Sequence, residues 1–146
     1  MKKVIYIKAP SNRGKTEIIV DVYQKFLDDK WESDQEFKKK EADAGNKKKD
    51  ICDVLMKGNV KIGFSSCGDP SGGDLHNSQH TKWLKALKKQ KCNLILCACR
   101  TRGETLDSIK NIFKDEDKFG FIPHYNSQHN NTHNANLVFN MMLYLL

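Results

Sequence analysis

Short apolar runs alternate with amphipathic helical stretches along this chain, and this alternation restricts the fold more than any other feature. The runs Val4–Ile7 and Leu94–Cys99 are continuously apolar, which is typical of strands buried on both faces of a parallel sheet. Between them, Glu17–Asp28 carries apolar residues at spacings of three and four, which predicts an amphipathic helix. Strands that alternate with helices predict an α/β fold, with a mostly parallel sheet and helices on both faces.

One stretch departs from this alternation. The apolar runs at 51–56 and 60–64 are separated by Lys57-Gly58-Asn59, and Gly and Asn tolerate the positive φ of a tight turn. We therefore expect a β-hairpin near residues 51–64, which adds an antiparallel edge to the sheet. The remaining predicted elements are helices at 74–89, 101–113 and 134–146, a strand at 119–122, and a short helix from 33 through 37.

Two capping boxes mark predicted helix starts. Ser33 with Glu36, and Thr101 with Glu104, each place a hydroxyl three residues before a carboxylate. In a capping box the hydroxyl accepts a hydrogen bond from the first helical turn, and the carboxylate accepts one from the capping residue. We therefore expect Ser33 and Thr101 to be the N-caps of their helices.

The length of 146 residues predicts a single domain over 1–146, with one core. No apolar run approaches the roughly 18 residues of a membrane span, and the first run is too short for a signal peptide. Five cysteines, an odd count, do not form a secreted disulfide framework. Cys97 and Cys99, two apart on a predicted strand, are expected to pack into one face rather than react. We expect a cytoplasmic protein without a membrane segment.

The net charge of +7 raises the possibility of a nucleic-acid partner. Lysines are concentrated at 38–49, within a predicted mobile basic loop at 38–50, and at 82–91, where five lysines occur without an acid. Such runs are more often solvated faces than phosphate-binding stripes. A nucleic-acid partner is therefore possible but not favoured.

The segment Ala9–Thr16, Ala-Pro-Ser-Asn-Arg-Gly-Lys-Thr, has the spacing of a Walker A motif. It follows a predicted buried strand and opens a predicted helix. In that context the N–H groups of the loop and the positive end of the helix converge on phosphates. Lys15, expected at the surface of the loop, would reach the β- and γ-phosphates, and Thr16 would bind Mg²⁺.

On this motif the chain resembles the P-loop NTPase superfamily, specifically over residues 4–28 and only in topology beyond them. Ala9 stands where the first glycine is usual, and Pro10 removes one backbone donor. The alternative is an ordinary strand–loop–helix turn whose lysine faces solvent. The nucleotide-binding residues that the resemblance implies are Ala9, Pro10, Ser11, Asn12, Arg13, Gly14, Lys15 and Thr16.

A P-loop enzyme also needs a carboxylate at the end of a neighbouring strand to hold the metal. Asp69 is the candidate because it follows the run that ends at Ser66. Ser65, Ser66 and Cys67 interrupt the usual apolar pattern before that carboxylate. The alternative is that Asp69 only starts a turn before Pro70, a position that Asp favours.

Arg100 and Arg102 follow the predicted central strand at the edge where ligands of open α/β sheets bind. Guanidinium groups suit the stabilisation of charge in a transition state. The alternative is that both arginines lie in solvent at a capped helix start.

Two histidine pairs, His76/His80 and His129/His133, have a spacing compatible with zinc on a helix. Cysteine or carboxylate partners at finger-like spacing are lacking, so we do not expect a zinc site at either pair.

These patterns predict a small P-loop protein that binds Mg·ATP or Mg·GTP and hydrolyses or transfers the γ-phosphate. ATP is mildly preferred, because the Asn-Lys-x-Asp run of guanine-specific GTPases is missing. The alternatives are a basic nucleic-acid-binding module and a nucleotide-dependent switch that acts on a partner protein; a homo-oligomer is also possible. The candidate catalytic residues are Lys15, Asp69, Arg100 and Arg102, and the candidate metal ligands are Thr16 and Asp69.

Overall fold

The computed structural model describes residues 2–10, 14–37, 50–68, 79–124 and 131–146. Within these ranges the chain forms six strands and four helices of nine residues or more. The strands are β1 (Lys3–Lys8), β2 (Glu32–Ser33), β3 (Cys52–Lys57), β4 (Val60–Ser65), β5 (Leu94–Cys99) and β6 (Asp117–Phe121). The helices are α1 (Lys15–Asp28), α2 (Gln79–Lys89), α3 (Glu104–Ile112) and α4 (Asn131–Leu145).

The strands form one sheet in the order β2-β3-β4-β5-β1-β6. Strands β4, β5, β1 and β6 are mutually parallel, whereas β3 is antiparallel to both β2 and β4. The β3–β4 pairing extends from Lys57↔Val60 to Cys52↔Ser65, and Gly58 in the turn has a φ of +60°. The structure confirms the predicted α/β fold, its mostly parallel sheet and the hairpin near 51–64.

Helices cover both faces of the sheet, because successive strand residues enter two different cores. Val4 and Ile5 are consecutive in β1 and both fully buried. Ile5 belongs to the core that α1 and α4 cover, whereas Val4 belongs to the core that α2 and α3 cover. The absence of polar alternation in these strands therefore reflects burial on both faces.

The predicted capping role of Ser33 is wrong. Ser33 lies in β2, and its hydroxyl donates to the buried carboxylate of Asp53 at 2.7 Å. The helical turn at 35–37 is instead capped by Asp34, whose carboxylate accepts from the N–H of Phe37 at 3.3 Å. A buried carboxylate needs hydrogen-bond donors, and this requirement places Ser33 in the sheet.

The predicted capping role of Thr101 is also wrong. Helix α3 begins after Gly103, whose φ is +99° and which provides no side-chain cap. The preceding turn is held from inside the helix, where the hydroxyl of Thr105 accepts from the N–H of Arg100 at 2.9 Å. This inward-facing threonine replaces the expected outer cap.

Two predicted segments extend beyond the described residues. Of the predicted helix at 74–89, residues 74–78 lie outside the described ranges and the remainder forms α2. Of the predicted loop at 38–50, only Asp50 is described. Among the described residues, no helix combines the length and apolarity that crossing a membrane requires.

A buried polar cluster joins α1 to β3 and β2. The Tyr23 hydroxyl donates to the carboxylate of Asp53, which also accepts from Ser33. Burial and the neighbouring carboxylate raise the pKa of Tyr23, so its hydroxyl keeps its proton at neutral pH. The cluster holds β3 against α1.

Candidate functional site

Two neighbouring strands end side by side at the carboxyl edge of the sheet. Lys8 in β1 pairs with Cys99 in β5, and the N–H of Ala9 donates to the carbonyl oxygen of Cys99 at 3.2 Å. The helices that follow these two strands, α1 and α3, cover opposite faces of the sheet. Such a divergence opens the crevice in which open α/β sheets bind ligands, so residues 9–10, 14–16 and 100–103 border it.

Helix α1 begins directly after Gly14, which has a left-handed φ of +79°. The carbonyl oxygen of Gly14 accepts from the N–H of Ile18 at 3.0 Å, as in the first turn of a helix. Gly14 provides no side-chain cap, and a helix N-terminus of this kind attracts anions through its N–H groups and dipole.

Gly14 also has no room for a side chain. A Cβ built there would lie 2.5 to 2.9 Å from side-chain atoms of Asn131, the first residue of α4. The Asn131 side chain at the start of α4 therefore packs against Gly14.

We expect Gly14→Ala to destabilise the fold more than Gly58→Ala. Both glycines have a positive φ, which costs alanine about 1–2 kcal/mol, but nothing lies within 4 Å of a Cβ at Gly58. Gly58→Ala should lower Tm by about 3–8 °C, and Gly14→Ala should lower it further. Adding Asn131→Ala to Gly14→Ala should restore only the part of the Tm loss that exceeds the loss in Gly58→Ala, because the cost of the positive φ remains. Equal Tm values for the two single variants would show that the Asn131 side chain moves aside without destabilising the fold.

The Lys15 side chain is buried, with 5% of its surface exposed, so the prediction that it lies at the surface is wrong. Its ammonium donates to the carbonyl oxygen of Ala9 at 2.9 Å, which brings the side chain back across the start of the segment. A buried ammonium needs such acceptors. The alternative of a solvent-facing lysine is thereby contradicted.

Three lysines lie near enough to the Cys99 thiol to act on its pKa. Burial raises the pKa of the Cys99 thiol to about 11, while the nearby charges of Lys15, Lys8 and Lys110 partly oppose that rise. Burial also raises the pKa of Cys97. Both thiols pack into one core as predicted, and at neutral pH they remain protonated and weakly nucleophilic.

The hydroxyl of Thr16 is hydrogen-bonded to a carboxylate. The Thr16 hydroxyl donates to Oδ1 of Asp50 at 3.0 Å, and the Ser66 hydroxyl donates to the same oxygen at 2.9 Å. Ser66 also accepts from the N–H of Ile51 at 2.7 Å. These hydrogen bonds join α1, β4 and the residues that precede β3 around one half-buried carboxylate.

Sequence reasoning placed Asp50 in a mobile loop and missed this role. The predicted hairpin held the signal, because β3 is antiparallel and starts at the edge where β4 ends. Counting outward from the Gly58 turn puts Ile51 opposite Ser66, and Asp50 is the next residue out. Ser66, read as an interruption of the metal-binding pattern, is a partner of that carboxylate.

The other predicted site residues divide into three groups. Arg100 is half-buried beside the start of the loop, whereas Arg102 and Pro10 are exposed. Ala9 is buried at the end of β1. Ser11, Asn12, Arg13 and Asp69 lie outside the described residues.

The histidines show no zinc-binding arrangement in the described part of the chain. His80 is fully buried, and its Nε2 lies 3.0 Å from the carbonyl oxygen of Ala98. His76 and His129 lie outside the described residues. Among the residues described, no three His, Cys, Asp or Glu side chains form a group that could hold a metal.

Comparisons with models of protein families, with curated proteins and with solved structures find no match. The chemistry at this edge is therefore inferred from its own residues. These are a left-handed glycine at a helix start, a buried ammonium, and a hydroxyl hydrogen-bonded to a carboxylate, which are groups of the kinds that bind phosphates and divalent cations in proteins.

Proposed function

We propose that this chain binds a nucleoside triphosphate with Mg²⁺ at the carboxyl edge of its sheet, and that it hydrolyses or transfers the γ-phosphate. The observation that carries the proposal is the hydrogen bond between Thr16 and Asp50, one residue after the buried ammonium of Lys15. The three side chains supply the positive charge and the oxygen ligands that a magnesium–phosphate complex requires.

The phosphates would be held by the start of α1. Gly14 starts the helix in a conformation that leaves its N-terminus without a side-chain cap. Lys15 donates to a main-chain carbonyl at the same place, and a phosphate oxygen is a stronger, charged acceptor for that ammonium. On binding, the Lys15 ammonium would exchange the carbonyl oxygen of Ala9 for a phosphate oxygen.

Thr16 would bind the magnesium ion, and Asp50 would orient the Thr16 hydroxyl from the outer shell. A threonine hydroxyl that donates its proton to a carboxylate turns its lone pairs away from that carboxylate, where they can face a cation. Mg²⁺ retains several waters and binds few protein oxygens, so this pair needs little help from other side chains. Asp69 stays the second predicted carboxylate.

The most direct test is binding of non-hydrolysable ATP and GTP analogues, followed by thermal shift and calorimetry with Mg²⁺ or with EDTA. We expect a rise in Tm with Mg²⁺ and analogue together, larger for ATP than for GTP. At a ligand concentration of about 100 times Kd the stabilisation is about 2.7 kcal/mol. A flat Tm with both analogues at millimolar concentration would refute the proposal.

Asp50→Asn should raise the Mg²⁺ concentration needed for half-maximal binding of the ATP analogue by about 10–100-fold, the usual effect of losing an outer-shell carboxylate. Affinity for the analogue in EDTA should change little. Asp21→Asn, on the same helix as Thr16 but outside this network, removes the same charge and serves as the matched control.

Asp69→Asn, titrated in parallel, tells whether a second carboxylate contributes. If Asp50→Asn and Asp21→Asn give the same Mg²⁺ titration, Asp50 only holds the hairpin against α1 and is not a metal residue.

A further inference from the structure

The exposed face of helix α2 consists of lysines. Positions 82, 85, 88 and 89 are exposed lysines, while Trp83, Leu84 and Leu87 on the opposite face are buried. The helix contains no acidic residue. The sequence predicted a lysine-rich segment here, and the structure shows that its charges share one surface.

Lysines from three other places in the chain extend this surface. Lys91 follows the helix in a left-handed turn, with a φ of +55°. Two residues further on, Asn93 forms two hydrogen bonds of 2.9 Å with the main chain of Lys61. The carbonyl oxygen of Asn93 accepts a third hydrogen bond, from the N–H of Lys3, at 3.2 Å. This pairing brings the starts of β4 and β1 to the end of α2.

Cys92 lies at the centre of that junction. The charges of Lys61 and Lys2 lie near enough to lower the pKa of its thiol, although burial keeps that pKa raised, at about 11. Lys2 and Lys88 line one small cavity with Cys92. We call the resulting set the basic band: Lys2, Lys61, Lys82, Lys85, Lys88, Lys89 and Lys91.

The band has little internal compensation. Within the described ranges, Lys82, Lys85 and Lys89 form no ion pair. The carboxylate of Glu116 lines the cavity beside Lys2 and Lys88. Two further acidic residues lie near the band: Asp117, whose N–H donates to the carbonyl oxygen of Lys2 at 3.3 Å, and Asp34, whose charge acts on the Cys92 thiol. Seven ammonium groups outnumber these three carboxylates, and the net positive field attracts a polyanion.

We propose that the basic band binds the phosphodiester backbone of a nucleic acid without reading its sequence. Among the described residues, no large hydrophobic side chain is exposed within the band. Those that are exposed lie in α1, in β6 and at Ile122 after it, and in α4 and at Leu146 after it. Protein interfaces need an apolar core and are depleted in lysine, so an acidic protein fits this surface poorly. The nearest tryptophan, Trp83, is buried and cannot stack on bases.

The spacing of the lysines suits a repeating anion. Lys82, Lys85 and Lys89 are three and four residues apart, which separates helical neighbours by about 5–6 Å. Duplex phosphates recur every 3.4 Å of axis on each strand, which is closer than the spacing of the ammonium groups, so a strand laid along α2 has a phosphate within reach of each long lysine side chain. The band lies on the face opposite α1, so this binding does not depend on the proposed nucleotide site.

The test is the salt dependence of binding to a fluorescein-labelled DNA duplex of about 20 base pairs and to the single strand of equal length, measured by anisotropy. Seven phosphate contacts predict a slope of about −6 for log K against log[salt] on duplex. The double variant Lys85→Gln, Lys89→Gln should make that slope shallower, by about 2. It should also weaken binding at 50 mM salt by about tenfold or more.

The matched control is the double variant Lys25→Gln, Lys30→Gln, which removes the same charge from α1 and the turn after it and should leave the slope unchanged. Both doubles should retain parental Tm and parental binding of the ATP analogue, because neither touches Lys15 or Thr16. Equal losses in the two doubles would assign DNA binding to net charge and overturn the proposal. Tighter binding to phosphatidylserine vesicles than to either DNA, or no DNA binding at 50 mM salt, would overturn it too.

Discussion

Lys15→Ala is expected to weaken binding of the Mg·ATP analogue by about 100-fold and to abolish turnover. The ammonium would hold two phosphate groups, and each charge-assisted hydrogen bond contributes about 1.5–3 kcal/mol. A loss of about 3 kcal/mol corresponds to about 100-fold in Kd. The measurement is calorimetric titration of the parent and the variant with the same analogue in Mg²⁺.

Burial of Lys15 makes a folding control necessary, because alanine also removes the hydrogen bond to Ala9 and leaves space beside it. Lys15→Met fills that space without the charge and should lose affinity equally. Lys114→Ala removes one charge from the exposed turn that follows α3 and should bind as the parent does. Parental affinity in a folded Lys15→Met protein would contradict the phosphate-binding role.

Arg100→Ala is expected to lower the turnover rate by about 1,000-fold at nearly unchanged analogue affinity, while Arg102→Ala should have almost no effect. Arg100 directly follows Cys99, whose carbonyl binds the first residue of the Walker A segment. Arg100 is half-buried there, whereas Arg102 is exposed. An arginine that meets charge developing on the transferred phosphate is worth about 10³ or more in rate.

The two arginine variants are each other's control, because they remove the same charge two residues apart. Turnover and analogue affinity should be measured for both proteins in parallel. Parental turnover in Arg100→Ala would show that Arg100 has no catalytic role and that the segment is an ordinary helix start. Equal losses of rate in both variants would indicate that the turn at 100–103 has been disturbed, and that Arg100 has no specific role.

Local patterns predicted the elements of this fold well, because each depends on residues close together in the chain. Continuous apolar character placed β5 at Leu94–Cys99 without error, and the Gly58 turn placed the hairpin. The capping boxes failed for a different reason. Whether Ser33 caps a helix depends on Asp53, a buried carboxylate twenty positions away that takes its hydroxyl.

The candidate site was predicted in part. The Walker A spacing located Gly14, Lys15 and Thr16, because that motif is local. The burial of Lys15 was not predictable from the motif, because it depends on where the neighbouring helices and strands pack. The partner of Thr16 was missed for the same reason.

The sequence by itself determined the α/β alternation, the hairpin and the start of a helix close behind the strand that ends at Lys8, since hydrophobic periodicity and turn chemistry act over a few residues. Only the tertiary structure decided that Asp50 meets Thr16, 34 positions away, and that Lys2 and Lys61 join the lysines of α2. Those contacts follow from strand order and register, which are selected by the burial of two whole cores and not by any single segment.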